Sequence, residues 1–250
     1  MKARARLVVE RDGDGRNVVR ELLSMTPITL VPHRGQVRSA HRPALVHLVS
    51  SVTAPLGGDE LELVVEVGPG AHLVLRGVAA TLALPGHRPG GSRAAVRIEI
   101  ADGGSVQYLP EPTVVTTRAR HEAEFAAHLA GGARLRTREV LVLGRFGERA
   151  GDLVSTMRVR RDGAPALHQT QRIGVAGLDA SAAHLAGRRV LGTEVLFWGE
   201  DPTAAVSHDW WSLVPLARGG SLATALAQDA VTAGKWLDTA VSRHPGWVTF

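Results

Sequence analysis

Hydrophobic and polar positions alternate along most of the chain, the pattern of β-strands with one buried face. Residues 4–10 and 17–23 alternate in this way on either side of a Gly/Asp turn, which predicts a hairpin. Residues 158–169 predict another hairpin, with its turn at Asp162 and Gly163. Turn residues recur at intervals of about 10–15 residues, which favours an all-β sandwich, barrel or solenoid.

One unit of this pattern occurs three times, at residues 65–75, 98–108 and 127–137. Each copy consists of a short alternating strand, a turn that contains glycine, and a second alternating strand. Repeats of this kind predict stacked supersecondary units that share one continuous core.

The copies can be aligned on the second glycine of each turn, namely Gly70, Gly104 and Gly132. Seven residues later, two of the copies have a carboxylate, Glu111 and Glu139, where the first copy has Gly77. The alignment therefore predicts that these two carboxylates occupy equivalent places in stacked units.

The two-residue period of a strand assigns its side chains to an inward and an outward face. In residues 59–67 the odd positions are Asp59 followed by Leu and Val, whereas the even positions are mostly Glu. The odd face is therefore predicted to be the core face, with Asp59 at its start and the glutamates in solvent.

The same reasoning applied to residues 134–143 turns Glu139 inward, and it turns Arg134, Arg136 and Arg138 outward to solvent. An inward carboxylate is costly unless it is paired or hydrated. Two explanations stay open for Glu139. It is either part of a structural ion pair or amide cluster, or it lines a polar interior such as a water-filled channel or ion path.

The C-terminal part of the chain has a different pattern. Residues 221–241 have hydrophobic side chains at helical spacing and predict a helix with Ser221 as its N-cap. Residues 179–186 predict a shorter helix. The expected fold is mainly β, with a stacked β-hairpin or β-helix-like body, or a sandwich, and one or two α-helices near the C-terminus. Since no linker stands out, residues 1–250 are interpreted as a single domain.

Composition and charge restrict the class of protein. The chain has no cysteine, which excludes disulfides and thiolate metal sites and fits a reducing compartment. It shows neither a signal-peptide pattern nor an apolar run of about 20 residues, so a cytoplasmic location without membrane association is expected. The formal net charge is +5, but the arginines are scattered rather than concentrated, which argues against nucleic-acid binding.

Familiar catalytic motifs are absent from the sequence: there is no dinucleotide fingerprint, P-loop, His-Glu-x-x-His or Gly-x-Ser-x-Gly. Of the dispersed histidines, His72 and His87 are the best candidates for a functional role, because they lie near predicted loops. The carboxylates Asp59, Glu111 and Glu139 would also suit a glycan-active enzyme on a β-helix, since glycosidases use two carboxyl groups about 5–10 Å apart. Few aromatic residues are available to hold a sugar, so this remains the alternative.

Several short motifs follow one another in a fixed order. Residues 56–61 read Leu-Gly-Gly-Asp-Glu-Leu, and residues 65–73 contain Gly-Pro-Gly-Ala. Residues 108–113 read Tyr-Leu-Pro-Glu-Pro-Thr, and residues 139–145 begin with Glu and end with Gly-Arg. The ordered set resembles the motifs of the urease accessory protein family UreD, also called UreH, over nearly the whole chain. Glycines and one arginine form the framework of the match: Gly57, Gly58, Gly70, Gly144 and Arg145.

The resemblance implies a non-enzymatic maturation factor with a mainly β fold and a couple of helices. In that family the protein binds a helical accessory protein, UreF, which recruits a nickel-loaded GTPase, UreG. It also contacts the urease apoprotein. Nickel is thought to pass through a polar internal tunnel, so the resemblance implies nickel in transit and no stably bound cofactor.

By motif match, the resemblance implies that Asp59, Thr81 and Glu139 line this nickel path. Glu111 is a further candidate, although the family more often has Gln at its position. The sequence departs from the family pattern after Thr81 and before Gly57, where the usual Lys, aromatic and Asn-Pro residues are missing. These departures affect the expected tunnel opening and partner contacts.

Overall fold

The computed structural model describes residues 1–33, 42–88, 90–174 and 178–247. It is mainly β, with stacked coils that resemble a β-solenoid and one C-terminal α-helix, as the sequence predicted. In chain order the elements are β1 (Lys2–Arg11), β2 (Asn17–Leu23), β3 (Ile28–Pro32), β4 (Ala44–Ser50), β5 (Glu60–Val67), β6 (His72–Gly77), β7 (Thr81–Ala83), β8 (Ser92–Ile100), β9 (Ser105–Leu109), β10 (Thr113–Val115), β11 (Arg120–Leu129), β12 (Arg134–Leu143), β13 (Asp152–Arg161), β14 (Ala164–Ile173), β15 (Val190–Phe197), β16 (Val206–Ser207), β17 (Trp211–Pro215), β18 (Ser221–Ala227) and α1 (Ala230–Val241).

The strands form two sheets that pack face to face. Sheet A has seven strands in the order β14-β13-β11-β8-β5-β1-β2. Sheet B has eleven strands; its main path is β16-β17-β18-β15-β12-β9-β6-β4-β3, and β10 joins β12 to β7. Alternate side chains of both sheets meet in one apolar core, which includes Leu7 and Ile98 of sheet A and Leu73 and Leu135 of sheet B.

Each of the three repeated units contributes one strand to each sheet. Strands β5, β8 and β11 are parallel neighbours in sheet A, and β6, β9 and β12 are parallel neighbours in sheet B. The prediction of β-helix-like stacking is confirmed, whereas stacked hairpins are not what these units form. The chain crosses from one sheet to the other at the glycine turn of each repeated unit, and both strands of a unit bury their apolar side chains in the same interior.

The register of the stack corrects the alignment made from the sequence. Leu75, Tyr108 and Thr137 are partners across β6, β9 and β12, so Glu139 lies level with Pro110 and Glu111 lies one residue beyond. The middle turn has two glycines, and Gly104 takes the place that alanine has in the other turns. The glycine of the middle copy that matches Gly70 and Gly132 is therefore Gly103, one residue before the one used in the alignment. As a result, Glu111 and Glu139 do not occupy equivalent positions.

The predicted strand faces and hairpins are confirmed in sheet A. Leu63 and Val65 of β5 are 2% and 0% exposed, whereas Glu60 is exposed. β1 pairs with β2 and β13 pairs with β14, both antiparallel. On the outer face, carboxylates and basic side chains of neighbouring strands form ion pairs, for example Arg93 Nη2 with Glu124 Oε2 at 2.7 Å.

The C-terminal helix is shorter than predicted. Residues 221–227 form β18 between β15 and β17, and its alternate side chains are buried. The helix begins at Ala230, after the N-cap Asp229, whose carboxylate accepts a hydrogen bond from the Thr232 N–H at 2.8 Å. It ends at Val241, as expected. Residues 179–186 form turns instead of the predicted second helix. No helix in the described part of the chain combines the length and apolar character needed to cross a membrane.

A buried ion network lies between β12, β15 and α1. Glu194 of β15 is fully buried, and its carboxylate forms ion pairs with both Arg136 and Arg138. Arg138 also bonds Asp238 of α1 at 2.5 Å between Nη2 and Oδ1. These two arginines point outward from the core as predicted, but the expectation that they are solvated is wrong, because β15 and α1 supply their partners. Arg134, at the end of the strand, is exposed.

Replacing Glu194→Gln removes one buried negative charge without changing the size of the side chain. We expect the free energy of unfolding to fall by about 3–5 kcal/mol, because Arg136 loses its counter-ion and Arg138 loses one of its two. The matched control is Asp238→Asn, whose side chain is 65% exposed and whose loss should cost about 1 kcal/mol or less. Urea denaturation of both variants measures the difference, and equal costs would contradict the assignment of the charge network to Glu194.

Candidate functional site

A cavity of about 210 Å³ lies between the two sheets. Its sheet A wall comes from β5, β8, β11 and β13, and is formed largely by alanine and other apolar side chains. Its sheet B wall comes from β4, β7, β9 and β12 and their connections, and this wall is more polar. The cavity brings together three of the four residues predicted to line a path, namely Thr81, Glu111 and Glu139.

Glu139 reaches from one sheet to the other. It lies on β12 and points inward as predicted, and its Oε1 accepts a hydrogen bond of 2.6 Å from the Ser155 hydroxyl on β13. Burial raises the pKa of the Glu139 carboxyl, and the hydrogen bond from Ser155 opposes that rise. Within the described residues, Glu139 has no ion pair with a basic side chain. The described residues therefore do not show the structural ion pair, and Glu139 borders the cavity with a hydroxyl as its partner.

Tyr108 of β9 borders the same space. Its partner on the neighbouring strand is Thr137, two residues before Glu139. Its ring stacks on Phe125 of β11 with the ring centroids 5.9 Å apart, so it also bridges the two sheets. Burial raises the pKa of the Tyr108 phenol, and the negative charge of Glu139 raises it further. The phenol therefore stays protonated beside the carboxylate. The sequence offered one signal for this residue, its inward register on an alternating strand.

Thr81 and Glu111 line the cavity closer to its outer end. Thr81 begins β7 and is partly buried, while Glu111, in the connection between β9 and β10, is exposed. The chain approaches Gly77 so closely here that a Cβ on this glycine would lie 2.5 Å from the backbone nitrogen of Glu111. Glu111 thus marks the place where the cavity meets the protein surface.

Asp59 lies apart from the other three residues. It is only 4% exposed, its Oδ2 accepts the Leu56 N–H at 2.8 Å, and its Oδ1 pairs with the amino group of Met1. Asp59 does not line the cavity; it borders an outer groove instead. Its contacts close the turn that precedes β5, a structural arrangement.

The five framework residues of the motifs all lie in turns. Gly58 has a φ of +86°, Gly70 of +62° and Gly144 of +72°, a region that favours glycine. A Cβ on Gly57 would lie 2.8 Å from the Gly86 nitrogen, so two turns touch there. Arg145 bonds Glu148 at 2.5 Å across the turn between β12 and β13.

The outer groove has a volume of about 930 Å³ and runs along the starts of β1, β5, β8, β11 and β13. Charged side chains of both signs line it, including the ion pair of Lys2 and Glu60 with its charged atoms 2.9 Å apart. Besides Asp59, two polar side chains that border it are buried: Ser92 is 2% exposed and His121 is 5% exposed. The Ser92 hydroxyl and the His121 Nδ1 are 2.9 Å apart. The sequence reasoning missed both residues.

The described residues contain no group of three or more His, Cys, Asp or Glu side chains arranged to hold a metal ion. Neither His72 nor His87 borders the cavity or the groove; His72 instead lies 2.8 Å from the Ser105 hydroxyl. The glycan-active alternative requires a groove with two carboxylates and a tryptophan. Among the residues that line the two spaces there are carboxylates but no tryptophan, so the structure does not favour that alternative.

Comparison with known proteins points to one family. A profile of the UreD urease accessory protein family matches residues 1–247. A protein of Saccharopolyspora erythraea named urease accessory protein UreD 1 is 56% identical, over 98% of this chain and 96% of its own length. A protein named urease accessory protein UreD in a Parafrankia species is 41% identical, over 96% of this chain and 87% of its own length. A protein of the same name in Streptomyces coelicolor is 36% identical, over 97% of this chain and 96% of its own length. This chain therefore belongs to the UreD urease accessory protein family.

Proposed function

We propose that this chain is a non-enzymatic scaffold in urease maturation, and that nickel travels through the cavity between its two sheets on the way to the urease apoprotein. Membership of the UreD family supports the maturation role. The observation that carries the finer proposal is the meeting of Thr81, Glu111 and Glu139 in one space between the sheets.

The chemistry of these side chains suits an ion in transit. Carboxylate and hydroxyl oxygens bind divalent cations, but a path must hold the ion weakly enough to release it. Glu139 is restrained by Ser155, and the raised pKa of its carboxyl means that a proton competes with a metal ion for the same oxygens. Both effects favour brief binding over permanent capture.

The arrangement of the side chains gives the proposed path an order. Glu111, exposed at the surface, is the first carboxylate that an ion would meet, and Thr81 lies on the same side. Glu139 lies further in, between the sheets, with Tyr108 on the neighbouring strand β9. The proposed route therefore leads from a solvated carboxylate to a partly buried one.

The proposed partners follow from the family rather than from any surface of the fold. We propose that the chain binds a UreF-type accessory protein, acts with a UreG-type GTPase through that complex, and contacts the urease apoprotein, all in the cytoplasm. The relatives are named accessory proteins, which supports a role outside catalysis.

Replacing Glu139→Gln tests the proposed path directly, because the amide keeps the size and the hydrogen bond to Ser155 but cannot carry a negative charge. We expect about tenfold less nickel per urease active site, the loss typical when a metal-site partner is removed. The measurement is the nickel content and activity of urease produced together with its accessory proteins. Glu99→Gln is the matched control, since Glu99 is an exposed glutamate paired with His128 on the outer face. If urease produced with the Glu139 variant contained its full amount of nickel, this chain would be better described as an interaction module without a nickel path.

Replacing Asp59→Asn should have a different effect. We expect the free energy of unfolding to fall by about 1–3 kcal/mol, because a buried, charged hydrogen-bond acceptor is lost from the turn before β5. Nickel delivered per molecule of folded protein should stay unchanged. Urea denaturation gives the first quantity, and nickel analysis at equal amounts of folded protein gives the second. If the Asp59 variant were fully stable but delivered less nickel, Asp59 would have to be part of the nickel path.

A further inference from the structure

The interior cavity and the outer groove share part of their walls. Three residues border both spaces, namely Leu61, Ala95 and His121. All three lie near the starts of parallel strands in sheet A, where β5, β8 and β11 run side by side. These three side chains therefore form a wall between the cavity and the groove, on the sheet A side of the cavity.

Of these three residues, only His121 can bind a cation through its side chain. It lies on the inward face of β11, directly beside Ser92 of β8 in the strand register. Its Nδ1 is 2.9 Å from the Ser92 hydroxyl, which fixes the orientation of the ring. Ser92 is the only hydrogen-bond partner that the described residues give this imidazole, which leaves Nε2 free to bind a ligand.

The environment keeps the ring in the form that binds metals. Burial lowers the pKa of His121 to about 4, so the imidazole is neutral at physiological pH. A neutral imidazole nitrogen is a good ligand for borderline divalent cations, and nickel is one of these. A single nitrogen ligand, without other His, Cys, Asp or Glu side chains grouped around it in the described part of the chain, would bind such an ion only briefly.

We propose that His121 is a nickel-binding way-point at the junction between the outer groove and the interior cavity, held in position by Ser92. In this proposal an ion crosses the cavity between Glu111 at the sheet B wall and His121 at the sheet A wall, so both ends are needed for nickel to pass. This inference rests on the proposed nickel path and adds a ligand at the sheet A wall to it.

The chain has no cysteine, so a single introduced thiol can be modified without background. The test uses His121→Cys, because a thiolate still binds nickel but can be blocked by a small methanethiosulfonate reagent. The matched control is His128→Cys, on the same strand but on its outer face, where the native side chain is 53% exposed. Each variant is prepared in unmodified and modified form, and circular dichroism verifies that it is folded. Both forms are then assayed together with the urease apoprotein and the other accessory proteins.

We expect the thiol of His121→Cys to react in the folded protein, and its modification to lower nickel incorporation into urease about tenfold, the scale of loss at a disturbed metal site. Unmodified His121→Cys should retain most of the incorporation, and His121→Gln, which lacks a good nickel ligand, should lose it. Modification of His128→Cys should have no effect. A thiol in His121→Cys that does not react, or full nickel incorporation after it has reacted, would overturn the proposal.

The Glu139→Gln variant separates the two levels of the proposal. If it loses nickel incorporation while the modified His121→Cys protein retains it, the interior path stands and His121 has no part in it. If both proteins load urease fully, the proposed path fails together with the way-point.

Discussion

Parallel stacking of strands around a shared interior is the constraint on which the rest of the molecule depends. Neighbouring strands lie about 4.8 Å apart, so an inward side chain always faces the same set of positions in the coils beside it and in the opposite sheet. Ser155 can donate to Glu139 only because β12 and β13 belong to different sheets that are held at a fixed separation. The same constraint places Tyr108 against Phe125. Polar groups in the interior therefore find their partners across the gap, as Ser155 and Glu139 do, or on the neighbouring strand, as Ser92 and His121 do.

Local sequence predicted the strand faces well and the C-terminal region less well. The alternation of β5 predicted which side chains are buried, because one face of a sheet strand must be apolar. Residues 221–227 contain Leu222 and Leu226 at helical spacing, but alanine fits either state, and hydrogen bonding to β15 and β17 decides for a strand. Arg136 and Arg138 were assigned to the correct face, yet their partner Glu194 lies far along the chain, so their burial could not be predicted.

The candidate site shows the same limit. Glu139 was predictable because it interrupts an apolar face, and that interruption is visible in one strand. Ser92 is the first residue of β8 and His121 the second of β11, where alternation gives little information, and their pairing depends on the register between the two strands. Asp59 also carries a recognisable motif, but its partner Leu56 belongs to the same turn, and a short motif does not distinguish a turn-closing carboxylate from one that faces a cavity.

The cavity also has a thermodynamic consequence. Small residues such as Ala94, Ala123 and Gly77 line it, and its volume of about 210 Å³ is space in which side chains make no contacts. At about 24 cal/mol per Å³, packing lost to a dry cavity of this size would amount to roughly 5 kcal/mol, and water that enters past Glu111 and bonds the polar wall offsets part of that cost. A larger side chain in place of Ala123 would recover part of that energy and obstruct the interior. In this protein, thermostability and an open interior are thus competing properties, and a variant selected for heat resistance alone would tend to close the space between the sheets.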